Sequence, residues 1–322
     1  MKKRILFTII MILLMGIVSG CGNRHDKNDG KLHIVATIFP EYDWVMNVLG
    51  DKAADADVTM LLSSGVDLHS FQPTADDIIK ISKCDIFLYV GGESDEWVKA
   101  TLQKAQNKDM IVINLMDVLG DAAKEEEIKE GMEAEEEEEG EETEYDEHVW
   151  LSLNNAKLFV NEIRDALSKA DAANSETYSA NAASYIEKLN ELDGKYRDAV
   201  ANAGVKTVLF GDRFPFRYLT DDYGLDYYAA FVGCSAESEA SFQTIIFLAE
   251  QVDKLGLSYV LTLENSNTKI AETVISSTEG KSAQILSMDS MQSITSADVK
   301  NGVTYLSVME KNLGVLTKAL QK

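Results

Sequence analysis

Cysteine, histidine and positive charge are all scarce in this chain, and each shortage narrows what it can do. The 322 residues hold three cysteines and four histidines, and 30 Lys plus Arg face 54 Asp plus Glu, for a formal net charge of −24. That balance excludes nucleic-acid phosphates as partners and leaves no basic patch for anionic lipid, so cations are the natural ligands. There is no His-Glu-x-x-His helix, no nucleophile motif and no histidine to spare for general acid–base work, which argues against an enzyme. After the first 20 residues no run is apolar enough to span a bilayer.

The N-terminus is where the positive charge and the longest apolar run do occur. Lys2, Lys3 and Arg4 precede an apolar stretch from Ile5 to Val18, which is too short for a comfortable membrane span. Val18-Ser19-Gly20-Cys21 follows, small residues before a cysteine, as in a bacterial lipobox. The expectation is a signal peptide over 1–20, lipidation of Cys21 and a polar tether over 21–31, which places the mature chain on the extracytoplasmic face of the cell membrane. Two thiols remain, Cys84 and Cys234. Their spacing leaves open whether they pair or sit unpaired as small buried residues.

Beyond the tether, apolar runs alternate with helical periodicity. Strands are expected over 32–38, 57–62, 85–90 and 110–115, with helices over 42–49, 74–83 and 97–106; Thr74 reads as an N-cap with acids in the first turn. Residues 155–203 carry helical spacing without a single proline, with a break near Ala170 to Ser175. The second helix presents Tyr178, Ala182, Tyr185, Leu189, Leu192 and Tyr196 on one face. It would extend roughly 40 Å at about 1.5 Å per residue. The alternation resumes with strands over 207–210, 226–232, 259–263 and 283–286 and helices over 214–223, 242–255, 268–277 and 304–320. The fold class is α/β, as two sandwich lobes with mostly parallel sheets joined by a long rigid helix. The lobes are expected over 32–174 and 204–322, with the connector over 175–203.

One segment breaks the rhythm. Residues 121–147 hold 16 Asp plus Glu against Lys124 and Lys129. Glu135 to Glu139 repel one another and bury nothing, so 121–145 reads as largely disordered. The tract ends at Asp146-Glu147-His148-Val149-Trp150-Leu151, where an aromatic-flanked histidine meets a new apolar run.

Ligands of doubly wound sheets sit beyond the carboxyl ends of strands. His69 lies on such a loop and His148 after the tract, while Asp212 follows the 207–210 strand and Asp289 the 283–286 strand. Two imidazoles and two carboxylates suit Zn²⁺, and also Mn²⁺, with no thiolate to favour copper(I). Each also has a plainer reading. A loop histidine is usually a surface side chain, Asp212 can pair with Arg213 or Arg217, and Asp289 can cap the next segment. His33 falls inside a strand and His25 in the tether.

These residues carry a resemblance covering nearly all of the mature chain. Ile38-Phe39-Pro40, Gly65-Val66-Asp67-Leu68-His69-Ser70-Phe71-Gln72-Pro73, Cys84-Asp85-Ile86-Phe87, the 146–151 segment, Tyr218 to Leu225 and Tyr305 to Leu313 together resemble the metal-binding substrate-binding proteins of bacterial ABC importers, of the ZnuA, TroA and PsaA type. The resemblance implies a lipid-anchored receptor, a monomer that captures Zn²⁺, or else Mn²⁺, in a cleft between the lobes. It would hand the ion to a permease and its ATPase. The implied ligands are His69, His148, a third residue just before Tyr218 and Asp289. At the third place strict spacing lands on Arg213 and a one-residue slip on Asp212, with Glu237 and Glu239 as reserve carboxylates. Affinity should fall as pH drops, because both imidazoles must be neutral to coordinate. A metal-dependent extracellular hydrolase and a surface adhesin with the same fold are the competing readings.

Overall fold

A computed structural model describes residues 30–133, 144–235 and 239–321. The leader, Cys21, His25, the Glu135–Glu139 run and Glu237 lie outside them. Among the described residues eight strands form two four-stranded parallel sheets. The first takes the order β2-β1-β3-β4, from β1 (Leu32–Ala36), β2 (Ala56–Met60), β3 (Ile86–Tyr89) and β4 (Ile111–Asn114). The second repeats that order as β6-β5-β7-β8, from β5 (Thr207–Phe214), β6 (Asp226–Val232), β7 (Tyr259–Leu263) and β8 (Gln284–Met288). The central strands are continuous apolar runs because helices cover both faces of each sheet. Ile86, Phe87 and Leu88 of β3 and Leu209 and Phe210 of β5 are buried accordingly. Both sheets belong to one unit, Leu32–Lys322. The expected two-lobed α/β class holds, and among the described residues no helix is long and apolar enough to cross a membrane.

The helices begin where the sequence supplies caps. Thr74 Oγ1 accepts the Asp77 N–H at 3.2 Å, and Asp77 Oδ2 accepts the Thr74 N–H at 2.9 Å, opening α2 (Ala75–Lys83) after α1 (Phe39–Leu49). The helices α3 (Glu96–Gln103) and α4 (Leu115–Leu119) follow, then α5 (Leu153–Ala170), capped by Ser152, and α6 (Ser175–Ala201). The break near Ala170 to Ser175 is where the periodicity puts it. The buried face of α6 includes all six residues expected there. Near its start Tyr185 donates to Asp43 Oδ2 of α1 at 3.2 Å. Near its end Tyr196 donates to the Met309 carbonyl at 2.7 Å, on the C-terminal helix Tyr305–Ala319. One helix is therefore anchored by buried hydrogen bonds to elements of both halves.

Two expectations fail. The strand β5 runs on to Phe214 through an irregularity between Phe210 and Arg213, so Asp212 lies inside a strand rather than after one. The expectation of disorder over 121–145 also fails at its ends, where 121–133 and 144–147 make defined contacts although many of their side chains stay exposed, while 134–143 lie outside the described residues. Residues 124–126 pair antiparallel with 144–146, and the Glu133 N–H donates to the Ala230 carbonyl at 2.8 Å beside the edge strand β6. Glu127 pairs with Arg217 and Lys129 with Asp226. Tyr218 Oη accepts the Lys124 N–H at 2.9 Å and donates to the Asp146 carbonyl at 3.0 Å. The ends of the tract form a strap whose cationic and backbone partners lie almost a hundred residues away, out of reach of a composition argument. It also covers an otherwise open sheet edge.

Glu41, on the first turn of α1, is fully buried. Its Oε2 accepts the Thr37 N–H at 2.8 Å and the Thr37 hydroxyl at 3.0 Å, while Oε1 has no partner. Burial, then the Asp95 charge, pushes its pKa up to about 8. A folded-state pKa above the unfolded value of roughly 4.3 gives stability that is full below that value and lost as pH rises toward 8. Glu41→Gln keeps an acceptor and removes the ionisation. In denaturant titrations it should match the wild type near pH 5 and exceed it by on the order of 2–4 kcal/mol near pH 9, at about 1.4 kcal/mol per pKa unit.

Candidate metal centre

Two loops of the first half bring two imidazoles nose to nose. His69 sits in a 3-10 turn over Leu68–Ser70, where Asp67 Oδ1 accepts its backbone N–H at 3.1 Å. His148 is wholly buried where the strap ends and Val149–Leu151 begins. Their Nε2 atoms are 3.2 Å apart. Two nitrogens bound to one tetrahedral zinc at ~2.0–2.1 Å lie about 3.3–3.4 Å apart, so the pair needs almost no movement to share an ion.

The other nitrogen of each ring is already committed. Asp146 Oδ1 accepts from His148 Nδ1 at 2.9 Å and from the His148 backbone N–H at 2.8 Å. That carboxylate fixes the tautomer with the Nε2 lone pair free. His69 Nδ1 meets Ser94 Oγ at 2.8 Å, with Glu147 Oε2 at 3.5 Å. The Glu147 carboxylate is itself held by the Ser94 N–H at 2.9 Å, beneath Gly92. A Cβ at Gly92, whose φ is +79°, would lie 2.3 Å from Glu147 Oε1. Burial, reinforced by the neighbouring His148 and Arg213, lowers the His69 pKa to about 3, so this ring is neutral and ready to coordinate.

The second half closes the other side. The turn after β6 presents Gly233 and Cys234, and the Cys234 N–H donates to Glu126 Oε1 of the strap at 3.2 Å. A Cβ on Gly233 would stand 2.9 Å from His148 Cε1, so only glycine lets this turn reach the ring. Among the described residues the one group of three metal-type side chains is His69, His148 and Cys234, whose ligand atoms lie within 4.8 Å of one another. Burial, with the charges of Asp146, Glu126 and Glu147, holds the Cys234 thiol well above its ordinary pKa. From beyond β8, Gln292 Nε2 reaches His148 Nε2 at 3.3 Å, while its buried Oε1 has no partner. The 289–292 turn is pinned by Asn312 on the Asp289 N–H, by Glu264 on Ser290, and by Trp150 Nε1 on the Ser290 carbonyl at 2.9 Å.

Of the four expected ligands, the structure brings His69 and His148 together and leaves both aspartates out of the group. Asp212 Oδ2 accepts the Leu263 N–H at 3.0 Å and Oδ1 the Arg213 N–H at 2.9 Å, stitching β5 to β7. Asp289 Oδ1 caps the Met291 N–H at 2.8 Å, which is the plainer role open to it. Arg213 is not a ligand type; it pairs with Asp67 Oδ2 at 2.8 Å and reaches the Ser235 carbonyl at 3.4 Å. Glu239 is exposed. His33 is partly exposed beside Asp57, and no disulfide joins Cys84 to Cys234. Sequence reasoning passed over Cys234, Gln292, Ser94 and the Asp146 carboxylate. Cys234 was findable, because the post-strand rule that singled out Asp212 applies equally to the end of β6.

Comparison with known proteins gives a consistent answer. Residues 34–319 match the family model described as zinc-uptake complex component A, periplasmic. The zinc-binding protein AdcA of Streptococcus pyogenes serotype M3 is 33% identical over 323 residues, covering 98% of this chain and 61% of its own length. The chain thus spans about three fifths of such AdcA relatives. The high-affinity zinc uptake system protein ZnuA of Bacillus subtilis is 30% identical over 325 residues, 98% of this chain and 97% of that protein. The crystal structure of the Zn(II)-bound ZnuA-like domain of Streptococcus pneumoniae AdcA superposes with a TM-score of 0.70 at 32% identity, covering 90% of this chain and 99% of that one. The two parallel sheets, the facing histidines and the match over 34–319 agree, and the chain belongs to the zinc-uptake complex component A family.

Proposed function

We propose that this chain is an extracytoplasmic zinc receptor. Residues 1–20 direct export, Cys21 carries the lipid that anchors it, and 21–31 tether a monomeric body. That body captures Zn²⁺ at His69 and His148 and delivers it to an ABC permease and its ATPase. The observation that carries this reading is the 3.2 Å approach of two Nε2 atoms whose opposite ring nitrogens are already engaged. An arriving ion meets two oriented lone pairs, so little ordering is left to its binding. The surrounding carboxylates of Asp146, Glu147 and Glu126 favour a cation, and the wall built by Trp150 and Gly233 keeps the site narrow. Relatives named for zinc, together with nitrogen donors at the centre, favour zinc over manganese.

Calorimetric titration of the metal-free protein with Zn²⁺ is expected to show one tight site. His148→Ala and His69→Ala should each abolish it, and Asp146→Ala should weaken it by ~10–100-fold through loss of ring orientation. A His148→Ala protein that binds as tightly as its parent overturns the assignment. Gly233→Ala should also weaken binding, because its methyl displaces the His148 ring; the overpacking should cost stability by about 1–3 kcal/mol, read as a lower thermal midpoint.

A further inference from the structure

We propose that Cys234 is the third metal ligand, and that its sulfur, with His69 and His148, makes a His₂Cys site that selects zinc against manganese. This rests on the zinc-capture reading above and adds to it the residue that sets metal preference.

The positions that sequence spacing offers for a third ligand are occupied otherwise. Arg213 is bound to Asp67, and the Asp212 carboxylate is bound to two backbone N–H groups. Cys234 instead comes to the pair from the end of β6, its sulfur within 4.8 Å of both histidine nitrogens. In a tetrahedral zinc site with Zn–S near 2.3 Å, sulfur and nitrogen lie about 3.6 Å apart, so a closing movement on the order of 1 Å suffices. Three features hold the sulfur in place. Gly233 lets the turn touch the His148 ring, Glu126 accepts the Cys234 N–H, and Arg213 reaches the next carbonyl, that of Ser235. Cys84, the other described thiol, is buried in the first half beside the Ile81 carbonyl, so no disulfide claims Cys234.

The fourth direction is filled by Gln292. Its buried Oε1 lacks any partner while Nε2 faces His148. Turning the amide over, an assignment that rests on hydrogen bonding alone, presents the carbonyl oxygen to the ion instead. On binding, the S–H bond breaks heterolytically, its proton leaves to solvent and an S–Zn bond forms. Sulfur and imidazole suit zinc, whereas manganese prefers oxygen donors, so the thiolate penalises manganese.

The test uses the full chain, metal-free, with Cys234→Ser, Cys234→Ala and His148→Ala beside it. Co²⁺ should give the wild type an intense near-ultraviolet thiolate-to-metal charge-transfer band and tetrahedral visible bands. Both Cys234 variants should lose the charge-transfer band and bind Zn²⁺ at least an order of magnitude more weakly, and Cys234→Ser should lose less Mn²⁺ affinity than Zn²⁺ affinity, so that zinc selectivity falls. Unchanged circular dichroism and thermal midpoints mark the variants as folded. If Cys234→Ser binds zinc like the wild type while His148→Ala does not, and the cobalt complex lacks the band, the thiolate is not a ligand and zinc capture stands. A wild type that binds no zinc overturns the functional reading itself.

Discussion

A single carboxylate oxygen fixes the buried histidine on which the proposed metal centre depends. Asp146 Oδ1 takes both the backbone N–H and the ring Nδ1 of His148, so the turn and the imidazole are locked together. With Nδ1 consumed, Nε2 has one direction left, toward His69 and Gln292. Neighbouring contacts depend on that orientation. Tyr218 holds the Asp146 carbonyl, Trp150 stands beside the ring with centroids 5.3 Å apart, and Tyr305 holds the Trp150 carbonyl at 2.7 Å. Residues from both halves thereby converge on one buried ring.

The two halves divide the chemistry. In the proposed centre the first supplies the histidines and the groups that aim them, and the second supplies a sulfur, an amide and a fixed cation. Arg213 neutralises Asp67, whose pKa burial alone would raise but which the guanidinium brings below the ordinary carboxylate range. The acidic surroundings of the centre are thus partly balanced before any ion arrives. What remains is a narrow set of donors, with His148 wholly buried and His69 mostly so, rather than an open acidic bowl.

Much of this was legible beforehand because periodicity records burial. The strands of both sheets, the break before α6 and its buried face all follow from spacing that any packed helix or covered strand must show. His69 and His148 were singled out because histidine is rare here, because one follows a strand and the other the acidic tract, and above all because the segments around them carry the family resemblance. Other features depend on partners far off in the chain. Asp212 looked like a loop residue because the extra irregular length of β5 has no apolar signature. The strap looked unstructured because Arg217, Tyr218 and Tyr227, which hold it, appear some ninety or more residues later. Cys234 was left between pairing and plain burial because two thiols carry no spacing that decides, although its place past a strand end was there to be read.

The same distances impose an order of assembly. Glu126 contacts Cys234 across 108 residues, and Glu133 contacts Thr244 across 111. Closing loops of that length is entropically slow, so such contacts form after local helices and sheets exist. A chain emerging N-terminus first exposes both histidines long before β6 and its thiol arrive. In the proposed centre the two imidazoles therefore precede in the chain the sulfur that would complete it, and the strap, through Glu126, is what ties that sulfur's backbone to the first half.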